Sequence, residues 1–429
     1  MSNPVWPTAP LSKLTSRIGD GIHGTPVYSE SGGYPFVNGN NLKNGSIEIT
    51  NDTKRVSREE YDKYFIEFDE KTLFLSINGT LGNLAKYKGE EVVLGKSAAY
   101  INCTGINIDF LFYYFQLKEV KALMWNIATG STIKNLSLAS IRNMEVPNPP
   151  ENVAKKIADV LLAIDNKIDL NNRINTELEA MAKTLYDYWF VQFDFPDANG
   201  KPYKASGGKM VYNDTLKREI PVGWSDGTLD NLGQIVGGST PSTADKNNFS
   251  EQGSAWITPN DLSGNIGNKF ISKGAMGVTA EGIKSASLKK YPAGTVLLSS
   301  RAPIGYMAIA RNALTTNQGF KSFIPSKGYP TEFVYFTVKN SLKAIIQYAS
   351  GSTFKEVSGT VIKTVKLALP PNELVEEFRA KVEDLFKRQD TLEQENEQLI
   401  ALRDWLLPML MNGQVTVKPS TESKETQHG

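Results

Sequence analysis

The chain has 429 residues, 40% hydrophobic and 22% charged, which suits two or three soluble domains with sizeable cores. A single cysteine, Cys103, excludes an internal disulfide framework and a thiolate cluster. Only two histidines, His23 and His428, nearly exclude a histidine-ligated zinc site, and a Ser-His-Asp triad would rest on His23 alone. Net charge is +1, which argues against a generic polybasic coat; no apolar run is long enough to span a bilayer, and the opening MSNPVWPTAPLSK lacks the basic-then-apolar order of a signal peptide, so the expected compartment is the cytoplasm with no membrane contact.

Residues 1–150 read as a mixed α/β domain of short strands. Tyr34 to Val37, Thr72 to Ser76 and Glu91 to Leu94 are rich in β-branched, aromatic and aliphatic residues and are bounded by Gly, Asn and Pro; Phe110 to Met124 reads as a helix. Pro149-Pro150 ends this region, and residues 151–190 are helical. There Ile157, Ile164, Asn171, Leu178 and Leu185 recur every seventh position. Residues 191–218 form a turn-rich connector. Residues 219–371 again read as short strands, such as Thr295 to Leu298, with a helix from Phe333 to Ile346. After Pro370-Pro371, residues 372–413 form a second helix with Phe378, Leu385, Leu392, Leu399 and Leu406 at the same sevenfold spacing, and 414–429 is a polar tail expected to be disordered.

The two halves repeat each other. Gly24-Thr25-Pro26 matches Ser239-Thr240-Pro241, Thr72 through Gly82 matches Thr295 through Gly305, and Ala128-Thr129-Gly130-Ser131-Thr132-Ile133-Lys134 matches Ala349-Ser350-Gly351-Ser352-Thr353-Phe354-Lys355. Order and spacing hold along the chain at an offset of about 220 residues, too long for a solenoid and fitting a duplicated domain-plus-helix unit. Sevenfold apolar spacing lays one stripe along each helix, and the economical partner for each stripe is the other helix, as a coiled-coil seam about 50–60 Å long; packing of each helix on its own domain is the alternative. Asn171 on that stripe either fixes register against a polar partner or marks a solvated end.

No active site emerges. Gly207-Gly208-Lys209 lacks the glycine a phosphate-binding loop needs five residues before Gly208, where Tyr203 stands. Asn148-Pro149-Pro150 resembles the start of an amino-methyltransferase signature, but the aromatic that would stack on a flipped base is replaced by Glu151. A binding surface remains. Residues 219–371 carry 15 basic against 9 acidic side chains, whereas 372–429 carry 7 against 12, which suits a nucleic-acid contact beside a protein contact. The candidate nucleic-acid residues of the first half are His23, Thr25, Asn38, Asn40, Asn41, Asn78, Thr80, Lys96, Tyr100, Ser131, Thr132 and Lys134. Those of the second half are Thr240, Thr258, Asn260, Ser299, Arg301, Asn317, Gln318, Lys321, Ser352, Thr353 and Lys355. Asn and Gln match adenine edges, Arg and Lys match guanine, and small hydroxyls with a cation suit a phosphate. Ordinary polar loops and a turn needed only for folding are the plain alternatives.

Two α/β domains, each followed by a long helix, with GSTIKNLS and GSTFKEVS ahead of a double-proline helix start, resemble a type I restriction–modification specificity subunit. The stretch Leu185 to Asp194, then Gly207-Gly208-Lys209-Met210 and Ile220-Pro221-Val222-Gly223-Trp224, resembles that family's connector, so the likeness covers about residues 8 to 413. The resemblance implies an α+β (mixed α/β) fold with two duplicated target-recognition domains, separated by an antiparallel coiled coil of two long helices in a pseudo-two-fold arrangement. It implies a non-catalytic subunit that reads a split double-stranded DNA target in the major groove. It further implies two modification subunits that use S-adenosylmethionine, and restriction subunits that use ATP and magnesium; this chain itself is expected to hold no cofactor and no metal. Two rival readings are a specificity partner of a fused restriction–methylation enzyme, and a duplicated coiled-coil scaffold or adhesin with no DNA role.

Overall fold

The computed structural model describes residues 6–30, 32–349 and 356–417. The chain divides into two compact units, residues 1–167 with 398–429, and residues 168–397. Both are mixed α/β, and both are built around a strand buried on its two faces.

In the first unit that strand is Thr72–Ser76, within an antiparallel sheet of order Thr15–Asp20, Ala98–Cys103, Thr72–Ser76, Leu84–Lys86. Side chains alternate across a strand. Leu73 and Leu75 therefore face a cluster with Phe110, Leu111 and Phe115 from the helical side, while Phe74 faces the opposite way with Val37, Leu94 and Tyr100. A smaller sheet covers that opposite face. In it Tyr34–Val37 pairs antiparallel with Arg55–Val56 and parallel with Val93–Leu94. The expected helix from Phe110 to Met124 is two helices, Ile108–Tyr114 and Lys118–Ile127, because Leu117 takes an extended backbone between them.

The second unit repeats the plan. Val296–Ser300 is the doubly buried strand, in a sheet of order Gly233–Gly237, Lys321–Pro325, Val296–Ser300, Ile304–Ala310, Phe270–Ile271. Val296 and Leu298 meet Phe333, Val334 and Phe336 of the helix Thr331–Gln347, whereas Leu297 meets Ile257, Leu262 and Phe320. The smaller sheet again holds one parallel pair, Ser254–Ile257 beside Thr315–Thr316.

The first long helix is Glu151–Tyr186 and the second is Asn372–Met411. Each starts at its double proline: Ala154 N–H donates to the Pro150 carbonyl at 2.9 Å, and Val375 N–H to that of Pro371 at 3.3 Å. A proline costs no hydrogen bond there, because the first turn has none to lose. Within the first unit, Ala154, Ile157 and Leu161 share a core with Leu407, Leu410 and Met411, and Ile164 is buried. Arg403 donates to Asp165 at 2.8 Å, and the Tyr113 hydroxyl donates to the same carboxylate at 2.6 Å.

Within the second unit the buried stripe starts apolar, at Val375, Phe378, Val382 and Phe386, and then turns polar at Gln389, Glu393 and Asn396. Asn171 is fully buried and donates to Asn396 at 2.9 Å and Glu395 at 2.8 Å; Asn396 donates to Asn172 at 2.8 Å. Asn171 thus has the polar partners of a register-fixing residue rather than a solvated end. Leu392 is buried, but Leu178, Leu185, Leu385, Leu399 and Leu406 are only half-buried. Met181 and Leu402, which align between the two helices, are 57% and 43% exposed. Within each unit the helical segments meet, and what lies between them is not confined to the sevenfold series.

One buried ionic group fastens the second unit's sheet to its helical segments. Lys269 donates from Nζ to Gln389 at 2.6 Å, pairs with Glu179 at 2.6 Å and sits 3.5 Å from the centre of the Phe386 ring. The Lys269 and Phe270 backbone N–H groups donate to the Glu393 carboxylate at 2.7 and 3.0 Å. Arg311 bonds Asp390 and Glu397 and reaches Glu393 at 3.4 Å. Burial pulls the Lys269 ammonium down to about 8 against the opposing Glu179 charge, and pushes the Glu393 carboxyl up to about 7 against its backbone donors.

Candidate nucleic-acid interface

In each unit the parallel pair of strands in the smaller sheet delivers two turns at the same end. In the first unit, Tyr34–Val37 leads into residues 38–41, and Val93–Leu94 into residues 95–97. Asn38 and Asn41 cap each other: the Asn38 N–H donates to Asn41 Oδ1 at 2.9 Å, and the Asn38 side chain accepts the Asn41 N–H. Ser97 ties the neighbouring turn to them, donating to Asn38 Oδ1 at 2.9 Å and accepting the Gly39 N–H at 2.9 Å. Asn41 also donates to the Glu48 carbonyl at 3.1 Å. Asn38 and Asn41 are thus occupied by the fold, while Asn40 and Lys96 are exposed.

The second unit has the same device. Thr258 and Asp261 form the reciprocal cap, with Thr258 N–H and Oγ1 both donating to Asp261 Oδ2 at 2.7 and 2.6 Å. Asp261 Oδ1 accepts the Ala275 N–H at 2.8 Å. In the adjoining turn Asn317 N–H donates to the Ile257 carbonyl at 3.0 Å, and its Oδ1 accepts the Gly319 N–H at 2.9 Å. Asn260 and Gln318 are exposed, with Gln318 accepting a hydrogen bond from the Thr240 hydroxyl.

The Gly-Ser-Thr loop of the first unit is closed by Thr129 and Asn135, whose backbones exchange hydrogen bonds at 2.9 and 2.8 Å. Gly130 has φ +95°, and a Cβ there would stand 2.2 Å from the Ile133 carbonyl oxygen, so only glycine fits. Ser131 and Thr132 are exposed; Lys134 is half-buried, donating to the Ala128 carbonyl at 3.4 Å with its ammonium 5.8 Å from the Trp125 ring centre. Asn78 bridges to Asn135 at 3.5 Å, and exposed Thr80 bonds Ser76 at 2.9 Å. The matching Ser352, Thr353 and Lys355 lie outside the described residues, as does the tail from residue 418 onward.

Other candidate residues sit where a base edge is out of reach or where a partner already holds them. Tyr100 is 3% exposed in the first unit's core, with Arg17 5.0 Å from its ring centre; burial raises its hydroxyl above the ordinary range. Ser299 is fully buried, donating to the Pro303 carbonyl at 2.7 Å and accepting the Tyr306 N–H at 2.9 Å. Both expectations are corrected for one reason: each lies on a strand packed on both faces. Arg301 and Lys321 share Glu356 at 3.8 and 4.0 Å, and burial lowers the Lys321 ammonium. Thr25 is exposed, and exposed His23 is paired with Asp20 at 2.9 Å. Tyr28, Asp52 and Lys54, which no sequence motif singles out, line a recess with Asn40; Lys54 lies 4.3 Å from the Tyr28 ring centre. The run Asn51-Asp52-Thr53-Lys54 carried a turn signal, but nothing that placed it beside residue 40.

Among the described residues no three His, Cys, Asp or Glu side chains are grouped to hold a metal, and no helix is long and apolar enough to cross a membrane. Cys103 is buried, which pushes its thiol up to about 12.

A family model described as the type I restriction modification DNA specificity domain matches residues 24–180 and 221–401, one stretch for each half of the repeat. The type I restriction enzyme MjaIX specificity subunit of Methanocaldococcus jannaschii is 41% identical over 166 residues, 38% of this chain and 38% of that relative. The HindI specificity subunit of Haemophilus influenzae is 26% identical over 358 residues, 72% of this chain and 77% of that one. Among solved structures, the type I restriction-modification S subunit from M. genitalium superposes with a TM-score of 0.58 at 14% identity, over 96% of this chain and 97% of the other, a likeness of fold.

Proposed function

The chain belongs to the type I restriction–modification specificity family, and from that membership we propose that it reads one half of an asymmetric split DNA target with each α/β domain, in the major groove. The two long helices set the separation of the half-sites and dock two modification subunits. Those subunits, with S-adenosylmethionine, methylate adenine; restriction subunits with ATP and magnesium join them in the cytoplasm. This chain contributes recognition, not catalysis.

The observation that carries the reading is a duplicated unit whose capped turns repeat, with an exposed Asn kept at 40 and 260, while the exposed residue of the adjoining turn differs. Asn38 with Asn41 and Thr258 with Asp261 hold the same turn, yet Lys96 stands in one unit where Gln318 stands in the other. A scaffold without a DNA role has no use for such a difference at one place. Expression with the neighbouring methyltransferase in a methylation-free host, followed by genome-wide mapping of methylated adenine, tests it. A split motif that disappears when this chain is omitted is the expected outcome. Identical methylation without the chain, with both proteins soluble and active, would sink it and favour the scaffold reading, which also predicts no salt-dependent duplex binding.

A further inference from the structure

We propose that each unit reads bases with one pair of side chains on adjoining turns, Asn40 with Lys96 in the first and Asn260 with Gln318 in the second. The inference rests on the specificity role proposed above and assigns it to particular residues.

Three observations converge on these four. The first is position: each pair follows the two strands of a parallel pair, so both members leave the sheet at the same end. The turns touch. Gly39 N–H bonds Ser97 in the first unit, and in the second a Cβ on Gly319 would come within 2.9 Å of Pro259. The second is elimination. The polar neighbours that resemble readers in sequence are committed to the fold: Asn38 with Asn41, Thr258 with Asp261, and Asn317 with Gly319. Asn40, Lys96, Asn260 and Gln318 are exposed on backbones that those bonds hold still, the preorganisation that base discrimination needs. The third is recurrence at the same place in a duplicated chain, with the chemistry kept at 40 and 260 and changed at 96 and 318.

The side chains then state a preference. An amide can bond adenine N6 and N7 together, while an ammonium suits guanine O6 and N7. Asn40 and Asn260 each select adenine. Lys96 selects guanine where Gln318 selects adenine, its amide steadied by the Thr240 hydroxyl. Asymmetry between the half-sites is thus placed at 96 against 318.

The test uses the full chain with its modification partner in the methylation-free host. Lys96→Gln is expected to change guanine to adenine at one position of one half-site, and Gln318→Lys to make the reverse change in the other half-site. Asn40→Ala and Asn260→Ala are expected to relax one position each by roughly 5- to 150-fold, as the loss of a bidentate contact does. A wild-type chain that directs a split motif together with variants that leave it unaltered would overturn the inference and spare the specificity role. A wild-type chain that directs no motif would remove both. Where a variant methylates nothing, competition binding by duplexes carrying single base changes decides: altered preference supports the assignment, and wild-type preference overturns it.

Discussion

The two units fasten an α/β domain to helical segments by different chemistry. In the first, Ile157 and Leu161 sink into a largely apolar core with Leu407 and Leu410, and two polar links, Tyr113 to Asp165 to Arg403 and Asn107 to Glu151, lie at its edges. In the second, a comparable apolar core, Phe378, Val382 and Phe386 against Phe333 and Phe336, is extended by a buried lysine, glutamates and a three-carboxylate arginine. Apolar burial is non-directional and tolerates conservative exchange. A buried ion network demands one geometry, and breaking it strands the remaining charge. One duplicated plan has therefore kept a forgiving apolar join in both units and added an exacting ionic one in the second.

The comparison breaks most sharply at Lys269. Lys269→Ala is expected to cost up to about 3–5 kcal/mol, because Gln389 loses its buried donor and Glu179 keeps only Lys339 as an ion-pair partner, with faster amide exchange in peptides from 168–397 only. Exchange that accelerates equally in both units would contradict the division. Leu161→Ala, at a fully buried position, is expected to cost about 2–5 kcal/mol, now with the exchange confined to 1–167 and 398–417. A smaller loss, about 1–3 kcal/mol, is expected for Asn171→Leu, which removes the donor that Asn396 and Glu395 accept; thermal unfolding unchanged from wild type would show that the polar middle of the stripe is idle.

The gentlest probe is pH. The Glu393 carboxyl titrates near 7 in the folded chain against an ordinary value near 4.5, so its contribution is fully present below the lower value and is lost as pH rises through about 7. Arg311, Asp390, Glu397 and Lys269 surround it, and Lys269, lowered to about 8, contributes in the opposite sense, favouring the fold above that pH. Between pH 5 and 7 the second unit should lose stability by less than about 1.4 kcal/mol for each pH unit. Glu393→Gln should flatten that slope, and a slope that persists unaltered would assign it elsewhere.

Much of the fold was legible because periodicity reports burial. Thr72 to Ser76, the double-proline starts and the sevenfold stripes each carry their signal within a few residues. The polar middle of the second helix did not. Gln389, Glu393 and Asn396 stand off the sevenfold series, and their partners Lys269 and Asn171 are far away in sequence. The site divided in the same way. Asn and Thr marked the adjoining turns of each unit, but a side chain that caps and one that faces outward are the same residue type. Ser299 and Tyr100 misled because a strand buried on both faces has no polar-out alternation to place them.

The reciprocal caps beneath residues 40 and 260 have a consequence for descent. Because Asn38 with Asn41, and Thr258 with Asp261, bear the conformation of each turn, exchange of an exposed neighbour costs little folding free energy. On the proposed assignment, a lineage can therefore drift from one target to another by single substitutions, without passing through an unfolded ancestor.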